Sequence, residues 1–202
     1  MKTLKIPFVK GFDALADFAA STLNEVPWPE LFPYKPSVKL YAAHTADAML
    51  LRFDVEEDDV KAVCLSDNGP VWEDSCVEFF VKVPDSPYYF NFETNCLGVG
   101  LAAKRTSRTD CTHFSPDMMG KVIRRSSLAS KAAEGGRGAW TLELEVPFDF
   151  LDCGARPEVL MANFYKCGDK TAKPHYISWA PIGCPTPDFH RPEYFGKLEL
   201  QW

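Results

Sequence analysis

From residue 38 onward the dominant rhythm of the chain is apolar and polar side chains exchanging every second position, the period of a strand with one dry and one wet face. Trp140 to Pro147 shows it most clearly: Leu142, Leu144 and Val146 alternate with Thr141, Glu143 and Glu145. Comparable runs occur at Val38–His44, Met49–Glu56, Ser75–Val83, Tyr88–Asn95, Leu97–Ala103 and Lys121–Ala129, then at Val159–Lys166, His175–Ala180 and Gly196–Trp202. Pro, Gly, Asn and Asp punctuate them, as tight connections require. Before this region, Phe12, Leu15, Ala16, Ala19 and Leu23 recur at helical spacing and predict a helix over Phe12–Asn24, ended by Pro27 and Pro29. About ten short strands without strand–helix alternation predict an all-β fold, an antiparallel β-sandwich of the immunoglobulin or jelly-roll kind with one short N-terminal helix. Residues 106–120 read as a long polar loop and 130–138, with three glycines, as a hairpin tip. No interdomain linker or internal repeat interrupts the pattern. One domain is expected over 1–202, with 1–36 as its lead-in.

Composition narrows what such a sandwich does. The 202 residues carry a net charge of −6, and a cluster as small as Lys121 with Arg124 and Arg125 is a poor footprint for a phosphate backbone, so a nucleic-acid partner is not expected. No stretch is long and apolar enough for a membrane helix. Lys5, Pro7, Lys10 and Asp13 break any signal-like core near Met1. The chain as written therefore reads as cytoplasmic, and as exported only if it derives from a longer precursor. Seven cysteines, an odd number without a C-x-x-C pair, read as free thiols in a reducing compartment and not as a zinc site. No cofactor is required on this reading, and oligomeric state is left open.

The motifs of common enzymes are missing. The GGRG at 135–138 has no helix after it to form a phosphate cradle, and no G-x-S-x-G elbow is present. Two segments instead place an indole among polar residues at a strand end. In DNGPVWEDSCVEFFV (67–81), Trp72 follows turn residues and precedes a strand on which Glu78 shares a face with Cys76 and Phe80. In the second, Trp179 lies just before Pro181, on the face of Ile177, where it can serve either a core or a rim. Sugars present apolar C–H faces to rings and hydroxyls to acceptors, so an aromatic beside a carboxylate suits their recognition. Each of these residues can equally be structural.

The order VWEDSCVEFFV, YYFNFETNCLGVG, AWTLELEVPFDFL, NFYKCGD, SWAP and DFHRPEYFGKLEL resembles the family 9 carbohydrate-binding modules, within the wider group of DOMON-like sandwiches. The resemblance spans about Val38 to Leu200. It implies a non-catalytic module gripping a sugar end between two tryptophans, here Trp72 and Trp179, with Glu78 and Asn95 as polar contacts. It also implies structural calcium, for which no ligands can be matched. The alternative is a glycoside hydrolase drawing a carboxylate pair from Glu73, Asp74, Glu78, Glu93 and Glu143. A third class, haem binding, would rest on Met118, Met119 and His113 in the long loop.

Overall fold

The computed structural model describes residues 1–128, 133–134, 136–154 and 157–202. Its strands are β1 Thr3–Ile6, β2 Ser21–Thr22, β3 Ser37–His44, β4 Ala48–Glu57, β5 Lys61–Ala62, β6 Cys76–Lys82, β7 Tyr89–Asn95 and β8 Gly100–Arg105. They continue as β9 Cys111–His113, β10 Ile123–Ser126, β11 Ala133–Glu134, β12 Gly138–Pro147, β13 Val159–Cys167, β14 Tyr176–Ser178 and β15 Gly196–Leu200. One sheet runs β1-β15-β13-β6-β7-β8-β9 with β14 added on β13, the other runs β10-β12-β4-β3-β2, and β5 pairs with β11. All these pairings are antiparallel except β1 with β15. The result is the expected sandwich.

The alternation dictates how the sheets face each other. Leu142, Leu144 and Val146 of β12, with Leu51, Phe53 and Val55 of β4, meet Val77, Phe79 and Val81 of β6, Phe90 and Phe92 of β7, and Phe164 of β13 in one buried core. The polar side of β12 is turned to solvent, so its burial alternates along the strand. β6 and β7 behave differently, being buried at almost every position. Their second face is roofed by the segments around Trp28 and 182–195, which pack Trp28, Ile182, Phe189 and Phe195 onto Phe80, Tyr89 and Tyr165. The roof is fastened by directed contacts. Phe189 stacks on Tyr165 with centroids 4.0 Å apart. The Tyr165 hydroxyl donates to the Phe189 carbonyl at 3.2 Å, and the Trp28 indole donates to the Cys184 carbonyl at 2.8 Å.

Two expectations are corrected. Phe12–Asn24 is not one helix: a 3-10 turn covers Phe12–Asp17 and buries only Leu15, after which Ser21–Thr22 pairs with β3. Extended pairing and burial of Leu23 in the sandwich core outweigh a weak helical periodicity. The loop at 106–120 contains β9 and the single helical turn α1, Pro116–Met119, capped by Ser115. The hairpin tip expected at 130–138 lies partly outside the described residues.

Candidate functional site

Under the roof, on the face of the larger sheet turned away from the sandwich core, is a cavity of about 260 Å³. Strand pairing builds its floor. Glu78 stands directly opposite Glu93 across β6 and β7 and opposite Tyr165 across β6 and β13. The same alternation brings Asn91 and, one strand further, Arg105 to this face. Glu78 and Glu93 are 3% and 4% exposed, although both line the cavity. Cys167, paired with Cys76, donates its thiol to Glu78 Oε1 at 3.1 Å.

Trp72 forms part of the wall. Asn68 adopts a left-handed φ of 60° in the turn before it, and a 3-10 turn at Val71–Glu73 then holds the indole at the cavity mouth, 37% exposed. The loop after β13 is tied to that turn: the Asp169 amide donates to the Trp72 carbonyl at 3.2 Å and the Lys170 amide to the Glu73 carbonyl at 2.9 Å. Asp169 and Tyr176 thereby reach the cavity from one side, and Asp188 with His190 from the roof.

Burial sets the electrostatics. It raises Glu78 well above the ordinary carboxylate range, reinforced by the facing Glu93. Burial also pushes Glu93 up to about 7, against the opposing effects of an Asn91 hydrogen bond and the Arg105 charge. Asp169 rises to about 6 through burial, eased by the Tyr176 hydroxyl. His190 falls to about 3 because it is buried and faces Arg105 and Arg108, so its ring is neutral. Arg105 is itself committed: Nε donates to Asn91 Oδ1 at 2.6 Å and one terminal nitrogen to the Arg108 carbonyl at 2.8 Å. By contrast, Glu93 Oε2 and Asp169 Oδ1 are buried without a hydrogen-bond partner. Buried acceptors left open in a cavity are where a ligand's donors would go.

The structure brings Trp72 and Glu78 together but not Trp179 or Asn95. Trp179, 1% exposed, belongs to the core between the sheets, on the opposite side of the larger sheet from Glu78. Its ring packs edge-on to Phe164, its indole donates to Ser21 Oγ at 3.2 Å, and it fits only because residue 196 is glycine. A Cβ there would lie 2.8 Å from Trp179 Cη2 and 2.8 Å from the Lys2 carbonyl. The parity shared with Ile177 already contains this placement. Asn95 is fully buried and fully used: its amide donates to Asp74 Oδ2 at 2.9 Å and the Cys64 carbonyl at 3.0 Å, and its oxygen accepts from the amides of Leu97 and Val99.

Of the other carboxylates, Asp74 is held by the amides of Val63 and Cys64, Glu73 pairs with Lys170, and Glu143 pairs with Arg125 on the other sheet. Met119 is a core residue while His113 is exposed, which does not make a haem pocket. Among the described residues, the one set of three acidic, thiol or imidazole ligand atoms lying together, within 4.8 Å of one another, is Cys76, Glu78 and Cys167. Two sulfurs do not suit calcium, which prefers all-oxygen shells. Sequence reading missed Arg105, Asp169, Tyr176 and His190 as cavity residues. The polar stripe Asn91, Glu93, Asn95 in a strand whose other face is phenylalanine was the available signal.

The profile of carbohydrate-binding family 9 matches residues 12–200. The chain is similar to a candidate carbohydrate-binding protein of Bacteroides uniformis, at 37% identity and a TM-score of 0.91 with 99% of each chain covered. Two structures of a family 9 module from Caldicellulosiruptor kristjanssonii share the fold. The one with cellotriose is 11% identical, with a TM-score of 0.59 over 99% of this chain and 94% of that one. The one with glucose is 12% identical, with a TM-score of 0.56 over 99% and 96%. No curated protein matches. No helix among the described residues is long and apolar enough to cross a membrane. With the family profile spanning nearly its whole length, this chain belongs to carbohydrate-binding family 9.

Proposed function

We propose that the chain binds a sugar, or the end of a glycan, without transforming it, one ring lying against Trp72 with its hydroxyls turned to the buried polar floor that includes Glu78. The observation that carries this reading is a 37%-exposed indole at the mouth of a cavity floored by buried, partly unpartnered polar side chains. The volume of about 260 Å³ lies just under the ~300–1,000 Å³ of drug-sized sites. It accommodates a terminal ring better than a chain threaded through. The sugar complexes of the two Caldicellulosiruptor structures support the ligand class. A clamp of two tryptophans is not part of this proposal, because Trp179 faces the other side of the sheet. Calorimetric titration with glucose and with cello- and xylo-oligosaccharides tests it. Wild type binds at least one, and Trp72→Ala loses the heat while keeping its melting temperature. Equal heats from both would remove Trp72 from the site.

A second reading, glycoside hydrolysis, is favoured by one observation: Glu78 and Glu93 face each other in the cavity, both held toward the protonated form. Reducing sugar that accumulates from β-glycans with wild type, and not with Glu78→Gln, would replace binding with catalysis.

A further inference from the structure

We propose that Cys76, Cys167 and Glu78 form a binding site for a thiophilic divalent cation such as zinc, at the floor of the cavity. The site does not rest on the sugar-binding reading, since an ion can bind there whether or not a ring lies against Trp72. Register between strands assembles it, so no C-x-x-C spacing announces it in the chain. Cys76 and Glu78 are two positions apart on β6 and share a face, and Cys167 of β13 is the residue directly across from Cys76. One ligand atom from each of the three lies within 4.8 Å of the other two. Ligands that a tetrahedral zinc holds at ~2.0–2.3 Å stand about 3.5 Å apart, so side-chain adjustments on the order of 1 Å close the set.

The chemistry of the donors selects the ion. Two sulfurs and one oxygen favour zinc or a similarly soft cation over calcium and magnesium. As each metal–sulfur bond forms, the thiol loses its proton to solvent. The two thiolates then match the ion's two charges, and Arg105 on the same floor opposes the one that Glu78 adds. The hydrogen bonds given up are those of weak donors: Cys167 to Glu78 Oε1 at 3.1 Å, and Cys76 to the Val77 carbonyl and Cys167 to the Trp72 carbonyl at 3.6 Å. A second observation points to the same place. Glu78 and Cys167 both line the cavity, which leaves the set an open side. Glu93, directly opposite Glu78, brings to that cavity its enclosed Oε2, which has no hydrogen-bond partner. Three protein ligands, an open fourth position and a nearby acceptor for a bound water are the parts of an open zinc site.

Titration of the full chain with cobalt(II) as a coloured stand-in, thiols kept reduced and zinc added as competitor, tests this. Cobalt is expected to give a thiolate charge-transfer band in the near ultraviolet and tetrahedral absorption in the visible, both erased by zinc. Cys76→Ser and Cys167→Ser should each weaken zinc binding more than about tenfold. Cys111→Ser, which removes a thiol from the edge strand β9 of the same sheet, should leave it unchanged. Glu78→Gln should keep the sulfur band and weaken cobalt binding, the signature of a lost carboxylate ligand. Melting temperatures check each variant's fold. No cobalt uptake, uptake without the sulfur band, or a band that persists in both serine variants would overturn the inference. Where a serine variant does not fold, an unchanged cobalt affinity in Glu78→Gln overturns it instead. Sugar is absent throughout, so these outcomes are distinct from those that test ring binding at Trp72.

Discussion

Removing the indole of Trp179 would open a hole between the two sheets, bounded by Phe164 and by a glycine that exists to admit the ring. A fully buried tryptophan truncated to alanine costs about 3–5 kcal/mol, so Trp179→Ala is expected to show a large drop in the denaturant midpoint. Trp72→Ala, on a partly exposed ring, stays within about 1 kcal/mol of wild type in the same measurement. Glu93 makes a second residue-level case. Asn91, Glu78, Arg105, Arg108 and Asp169 all act on it, and burial raises it from 4.5 to about 7. Between those values the folded chain holds a proton that the unfolded chain has released. Its stabilising contribution is therefore complete below about pH 4.5 and is lost as pH rises through 7. Glu93→Gln stays neutral throughout. It should raise stability at pH 8 by roughly 1–3 kcal/mol and change little at pH 4, as urea melts at the two pH values would show. His175 and His190, lowered to about 2 and about 3, contribute with the opposite sign: their share is present above about pH 6.5 and is lost as pH falls.

At the scale of elements, β13 carries polar groups on both faces, and its inner one is a buried ion pair. Lys166 donates to His175 Nε2 and to the Cys167 carbonyl, each at 2.8 Å, and its ammonium lies 2.9 Å from Glu57 Oε2 of β4. Glu57 Oε1 in turn accepts from the Trp140 indole at 2.6 Å. Removing one charge strands the other, so Lys166→Met is expected to lose about 3–5 kcal/mol in denaturant unfolding. Adding Glu57→Gln, which keeps an acceptor for Trp140, should recover much of that loss. Such cross-sheet pairings explain what the chain's own pattern could and could not reveal. Strands such as β12 were legible because one face is wet and the alternation is clean. The helix expected over Phe12–Asn24 failed because pairing of Ser21–Thr22 with β3 is a long-range event that a local window does not contain. Glu78 could be read to the correct face from its neighbours on β6. That Glu93 stands against it, and that Arg105 and Asp169 approach the same space, depends on register between strands and on a loop tied back to residues 72 and 73.

Taken whole, the larger sheet is covered on both sides, by the apolar core between the sheets and by the roof with its apolar cluster and the polar cavity. Much of the roof's attachment runs through Phe189, whose ring stacks on Tyr165 and packs edge-on to Tyr176 while its carbonyl accepts from the Tyr165 hydroxyl. Phe189→Ala is therefore expected to loosen 182–195 with little effect on the sandwich. Amide hydrogen exchange would rise in that segment and stay unchanged in β4 and β12.

The larger sheet's double coverage also constrains what kinds of change this chain tolerates. Along β6, odd and even positions belong to different interiors, so gaining or losing a single residue there would turn Phe79 toward the cavity and Glu78 into the sandwich. Length variation among descendants of this fold should accordingly be confined to the roof and the turns. There it reshapes what the cavity admits, while the strands beneath can change by substitution but not by count.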